Sequence, residues 1–185
     1  DDVLGLIRFI RGKDYFDYDG DCNLTETRDS VLGDIYHSQL VEVGPPSANT
    51  NFTGTNQESY YRAKHGYDYF AKHKMTRDSI IYAGANDGML HAFRADTGRE
   101  AWAFIPPFIA ARLPTLIDTG LDGSFHDIGA ERAGGSNPIF GVDGSPVIHD
   151  VFVRGLAEDG RTIETSPSWH TYLIINYGRG GHGFS

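Results

Sequence analysis

The stretch from Ile80 to Phe104 constrains the fold of this chain more than any other. Asn86-Asp87-Gly88 and Asp96-Thr97-Gly98 each end in glycine, which adopts positive φ without steric cost and so closes a tight hairpin. Around these turns Tyr82, Leu90, Ala92, Trp102 and Phe104 fall mainly at alternate positions, the period of a half-buried strand. The pattern predicts three strands and two turns, one antiparallel meander of a larger β-structure.

The composition supports an all-β fold class. With 39% hydrophobic residues, 12% aromatics and 23 glycines in 185 residues, the chain is suited to many short strands separated by turns around one sizeable core. Sixteen basic against 25 acidic residues leave a net charge of −9, which argues against a broad nucleic-acid or anionic-membrane surface and makes calcium a more natural partner. Cys22 is the single cysteine, so an internal disulfide framework and a four-cysteine zinc site are excluded. No run of 18 apolar residues predicts a transmembrane segment. The opening Asp1-Asp2-Val3 lacks the character of a signal peptide, and a chain ending at Gly183-Phe184-Ser185 reads as a piece of a longer polypeptide.

Two regions are expected: residues 1–29, a short helix plus an acidic linker, and residues 30–185, a β domain. Val3, Leu4, Leu6, Ile7 and Ile10 have helical spacing, and Gly12 would end the helix. Residues 40–43 read as a strand stopped by Pro45-Pro46. Residues 47–58 form a polar excursion, and the aromatics from Tyr60 to Phe70 belong to a short helical or irregular segment packing back on the sheet. Residues 108–113 should make one or two helical turns before Pro114, and a glycine-rich insertion occupies 120–137. A second hairpin is expected with 139–142 and 147–153 flanking Asp143-Gly144-Ser145-Pro146. Residues 169–175 read as a further strand, and Gly178 to Gly183 as a turn.

Chemistry concentrates in the loop Asp14-Tyr15-Phe16-Asp17-Tyr18-Asp19-Gly20-Asp21-Cys22-Asn23-Leu24-Thr25-Glu26. With Gly20 at the sixth position of an EF-type calcium loop, Asp17 and Asp19 fall at the third and fifth, Asp21 at the seventh, Asn23 at the ninth and Glu26 at the twelfth. Tyr15 would occupy the first position, with Asp14 adjacent, and no flanking helix pair is evident. A solvated acidic linker is the competing reading. Asn86-Asp87-Gly88 has a turn role rather than a ligand role, and the Gly178–Gly183 loop lacks the Gly-Lys-Ser/Thr of a phosphate loop. The eight histidines have no zinc-type spacing, and no nucleophile motif commits the chain to catalysis.

The segment Ala92 to Trp102 resembles the tryptophan-docking repeat of quinoprotein-type propellers, with Arg94 standing where such repeats usually carry aspartate. Leu32-Gly33-Asp34-Ile35-Tyr36-His37-Ser38, Tyr82 to Phe93, Asp143-Gly144-Ser145-Pro146-Val147 and Gly178-Arg179-Gly180-Gly181, in this order, resemble the PilC/PilY family of type IV pilus biogenesis factors and tip adhesins. The likeness covers residues 30–185, at the start of that family's C-terminal propeller. It implies part of a modified seven-bladed β-propeller of quinoprotein-like type, in which Trp102 packs between adjacent blades. It also implies a non-enzymatic protein at the bacterial cell surface, on the pilus tip or outer membrane. Such a protein supports pilus assembly against retraction, contacts pilus subunits or minor pilins, and adheres to surfaces or host cells. The alternative on the same propeller type is a pyrroloquinoline quinone dehydrogenase. Those enzymes carry several tryptophan-docking repeats and commonly an adjacent-cysteine disulfide, whereas this chain has one degenerate repeat and one cysteine.

Overall fold

The structure, a computed structural model, describes residues 2–15, 17, 19–117, 138–181 and 183–185. The 120–137 insertion, His126 and His182 lie outside the described residues. Helix α1 spans Asp2–Ile10, and Gly12 ends it at φ +83°, a conformation glycine adopts freely. Strand β1 (Val41–Val43) is followed by α2 (Gln57–Lys64), capped where Asn56 Oδ1 accepts the Ser59 N–H at 3.1 Å, and by α3 (Tyr67–His73). The central meander is β2 (Ile80–Gly84), β3 (Leu90–Arg94) and β4 (Glu100–Phe104). Its turns carry Gly88 at φ +84° and Gly98 at φ +68°, as the two glycine-ended triplets require. A 3₁₀ helix covers Ala110–Leu116, and β5 (Val147–Val153) and β6 (Ser168–Ile174) complete the strands.

Strands β1-β2-β3-β4 form one antiparallel sheet in chain order, the form of a propeller blade, and β5-β6 form a second antiparallel pair. The expected half-buried alternation does not run evenly through the meander. At Leu90, His91 and Ala92 both faces of β3 are buried, whereas β4 is exposed along its length, with Trp102 43% and Phe104 38% exposed. The reason is position: β3 lies inside the sheet, while the outer edge of β4 pairs with no strand among the described residues. Among the described residues the Trp102 ring tilts against Tyr82 of the same sheet at 5.6 Å.

Three further expectations are corrected. Asp143 to Pro146 closes no hairpin: β5 pairs with β6 across the 154–167 connection, and Ile139 makes a lone bridge to Asp87. Asp143 and Gly144 instead donate their N–H groups to Tyr177 O and Asn176 O, and Pro146 has no N–H to offer a ladder. The 3₁₀ helix continues through Pro114 to Leu116, because Leu113 and Leu116 turn inward onto the core. The polar excursion stops at Asn56, where α2 begins.

Two apolar clusters hold the fold. Phe9 of α1 is buried with Ile109, Leu113, Leu116, Ile117 and Ile139, so the N-terminal helix shares a core with the 3₁₀ segment. Leu90, Val142, Ile175 and Tyr177 make the second cluster. The aromatics of α2 and α3 pack on β5-β6 as expected, with the Tyr67 ring edge-on to Trp169 at 4.9 Å.

Three of the motifs that are far apart in the sequence converge on one hydrogen-bonded hub, and the fourth, Gly178 to Gly181, packs against it. Gly33 N–H donates to Asp87 Oδ2 at 2.9 Å, Asn86 N–H to Asp34 O at 2.9 Å, and Gly84 N–H to Ser38 Oγ at 2.9 Å. His37 Nδ1 lies 2.9 Å from Asp143 Oδ1, and Gln39 N–H donates to Ser145 Oγ at 3.0 Å. Gly84 and Gly180 face the backbone carbonyls of Val142 and Phe140, so closely that any side chain would collide with them.

Candidate metal site in the acidic loop

The acidic loop is closed at its base by main-chain pairing. Lys13 bridges Thr27, Asp14 N–H donates to Glu26 O at 3.1 Å, and Arg28 N–H donates to Gly12 O at 2.9 Å. The Arg28 guanidinium donates to Phe9 O and lies 3.8 Å from the centre of the Phe9 ring, which ties the loop to the buried end of α1. Above this base the carboxylates fold the backbone around themselves. Asp17 Oδ1 accepts from Cys22 N–H at 2.9 Å, Asp19 Oδ1 from Asp21 N–H at 3.2 Å, and Asp21 Oδ1 from Asn23 N–H at 2.7 Å. Asp17 at φ +53° and Cys22 at φ +66° take left-handed conformations that keep the turn tight. The Cys22 thiol is free and exposed.

Two carboxylate groups of three result, each with oxygens within 4.8 Å of one another: Asp17, Asp19 and Asp21, and Asp14, Asp19 and Glu26. Asp19 belongs to both. Of the five residues expected from spacing, Asp17, Asp19, Asp21 and Glu26 are therefore brought together. Asn23 is engaged within the loop, its Oδ1 accepting from Thr25 Oγ1 at 2.8 Å and its Nδ2 donating to Glu26 Oε2 at 3.2 Å. Asp14, only 4% exposed, takes the place that register assigned to Tyr15. The cue was the adjacent acid itself, and one extra residue is absorbed in the loop. No helix follows the loop in residues 27–40, so the arrangement has a helix on its N-terminal side only.

The electrostatics match a site short of positive charge. Partial burial, then the neighbouring Asp21, Asp19 and Asp14 carboxylates, push the Glu26 pKa up from its ordinary value. An oxygen-only donor set of flexible carboxylates suits a hard cation such as calcium.

A second titratable cluster went unsuspected in the sequence. His91, 4% exposed on β3, places Nε2 3.0 Å from Asp87 Oδ2 and Nδ1 2.6 Å from Glu100 Oε1. Asp87 also accepts from Met89 N–H at 3.0 Å, so the Asn86-Asp87-Gly88 triplet serves as a turn and a hub. The Gly178–Gly180 segment forms a short 3₁₀ turn against residues 140–144.

A family model of the PilY1 beta-propeller domain matches residues 32–185. The type IV pilus biogenesis factor PilY1 of Pseudomonas aeruginosa is 36% identical over 157 residues, which are 85% of this chain and 11% of that protein. PilY1 of another strain of the species is 34% identical over 177 residues, 96% of this chain and 12% of the relative. A PilY1 homolog of Xylella fastidiosa is 32% identical over 160 residues, 84% and 10% respectively. The chain thus spans about a tenth of the length of these curated relatives. The crystal structure of the Pseudomonas aeruginosa PilY1 C-terminal domain aligns with a TM-score of 0.43 and 31% identity, over 77% of this chain and 21% of that one. With the family model covering everything from Leu32 onward, the chain belongs to the PilY1 β-propeller domain family.

Proposed function

We propose that this chain supplies the opening blades of a propeller on a non-enzymatic, cell-surface protein that supports type IV pilus assembly against retraction and carries adhesion at the pilus tip. The observation that carries the reading is the match to the PilY1 β-propeller domain across residues 32–185, joined to relatives named as type IV pilus biogenesis factors. On this reading β1–β4 is one complete blade and β5-β6 begins the next, in a modified seven-bladed, quinoprotein-like ring. Pilus subunits or minor pilins are the partners, and a surface or host-cell ligand is the target. Among the described residues no helix is long and apolar enough to cross a membrane.

The test is genetic. Deleting the full-length gene should remove surface pili and surface attachment, and deletion in a strain unable to retract pili should leave pili in place. Loss of pili in both backgrounds would reject the role against retraction, and normal piliation and attachment after deletion would reject the whole reading. Quinone-dependent oxidation of an alcohol by the full-length protein, with calcium and an acceptor dye, would instead favour the dehydrogenase alternative.

The same reading includes a calcium ion in the acidic loop. Asp14, Asp17, Asp19, Asp21 and Glu26 would hold it, because they gather hard oxygen donors and excess negative charge in one closed loop. The ion would order the loop where the propeller begins, beside the buried end of α1.

A further inference from the structure

His91 has a carboxylate at each ring nitrogen, 3.0 Å away at Asp87 and 2.6 Å at Glu100. An ionised carboxylate only accepts, and a neutral imidazole has a single N–H, so both contacts are hydrogen bonds only when the ring carries two protons. Burial alone would discourage that charge, yet the bonds and charges of Asp87 and Glu100 outweigh it and raise the His91 pKa above its ordinary 6.5. Phe93 stacks on the ring at 5.8 Å, and a cavity of about 240 Å³ adjoins it, between β3-β4 and the end of α1. Of the residues lining that cavity, Arg11 is the other charged group beside His91 and Glu100.

The two arms differ in what their loss would cost. The Asp87 side chain is 6% exposed and also accepts from the Gly33 and Met89 N–H groups, whereas the Glu100 side chain is 47% exposed. A buried carboxylate stripped of a donor loses more than one that returns to water. When the ring gives up one proton, the remaining N–H therefore stays with Asp87. Glu100 sits on the edge strand β4, paired with Phe93 where the register shifts after Ala92.

We propose that His91 is a proton-operated latch: doubly protonated, it fastens edge strand β4 through Glu100 to the β2-β3 turn through Asp87, and loss of one proton releases Glu100 and loosens β4, still paired with β3, while the turn stays closed. The direction follows from linkage. The latch is fully closed below about pH 6.5 and opens as pH rises through the higher pKa of the folded state. Because β4 carries Trp102 and Phe104, opening loosens the strand that bears these aromatics.

Hydrogen–deuterium exchange of the full-length protein between about pH 6 and 9, with intrinsic exchange rates divided out, tests the latch. Protection over residues 99–104 should fall relative to residues 80–84, by about tenfold for each unit by which the folded pKa of His91 exceeds its free value. In Glu100→Gln the side-chain amide bonds either ring form, and the fall with pH should vanish. Protection of β4 that is flat with pH in the wild type, or a fall that persists in Glu100→Gln, would overturn the proposal.

Discussion

The phenol of Tyr67 on α3 donates a 2.5 Å hydrogen bond to Oδ2 of Asp150 on β5, 83 residues later in the chain. Asp150 Oδ1 accepts in turn from Thr171 Oγ1 at 2.6 Å, and Thr171 Oγ1 accepts from Arg77, whose Nε donates to Gly44 O at 2.9 Å. The network stitches the β1 end of the first sheet to the β5-β6 pair. Tyr67→Phe keeps the ring against Trp169 and deletes the donor to a carboxylate, so it should cost about 1.5–3 kcal/mol in urea denaturation. Burial first, then the bond to Asp150, push the phenol's pKa up to about 12. The contribution should therefore persist to about pH 10 and be lost as pH rises toward 12.

Gly84 and Gly98 offer a matched comparison. A Cβ on Gly84 would meet the carbonyl oxygen of Val142, a main-chain atom that cannot swing aside, whereas Gly98 at φ +68° has nothing within 4 Å. Gly98→Ala should cost roughly 1–2 kcal/mol from its left-handed backbone. Gly84→Ala should cost about 3 kcal/mol or more, because the hub must move apart. Equal melting temperatures for the two variants would contradict the close approach of β2 to Val142.

Calcium added to the full-length protein should release a measurable heat of binding from the acidic loop, and Asp19→Ala, which removes the carboxylate common to both triads, should abolish it. An unchanged titration in the variant would move the ion elsewhere.

Protons should compete with that ion. Because the Glu26 pKa is raised, its carboxylate takes up a proton sooner than an ordinary glutamate as pH falls. Calcium affinity measured by calorimetry should weaken through the same pH range, and Glu26→Gln should flatten that dependence.

Trp102 offers a test of the proposed longer propeller. At 43% exposure, its truncation to alanine in this chain should cost less than about 1 kcal/mol. In the full-length protein, where the reading places a neighbouring blade over it, Trp102→Ala should cost about 3 kcal/mol or more. Thermal melts of the two lengths side by side decide whether the indole packs between blades.

Local chemistry made the meander legible. Gly88 and Gly98 mark turns because they need positive φ, and Gly12 marks the end of α1 for the same reason. What failed was the pairing of Asp143 to Pro146, which depended on partners distant in the chain. Asp143-Gly144 has the composition of a hairpin turn, yet it bonds to Asn176 and Tyr177, a choice no local pattern encodes. The pairing of His91 with Asp87, which also accepts from Gly33 N–H across 54 residues, is likewise not encoded by any local pattern. In the acidic loop, spacing found four of the clustered carboxylates but not Asp14, because a fixed register cannot anticipate an inserted residue.

The meeting of His37 with Asp143 across 106 residues also sets a timetable for folding. The β2-β3-β4 meander can form as soon as it is synthesised, since its contacts are local. His37 and Gln39 must wait, on the order of ten seconds at ordinary synthesis rates, before Asp143 and Ser145 exist. A chain of such high contact order pays its loop-closure entropy before the hub rewards it, so it should fold slowly. Until Val142, Ile175 and Tyr177 arrive, Leu90 of β3 lacks the apolar cluster that buries it, and premature truncation before that point leaves a species prone to aggregate.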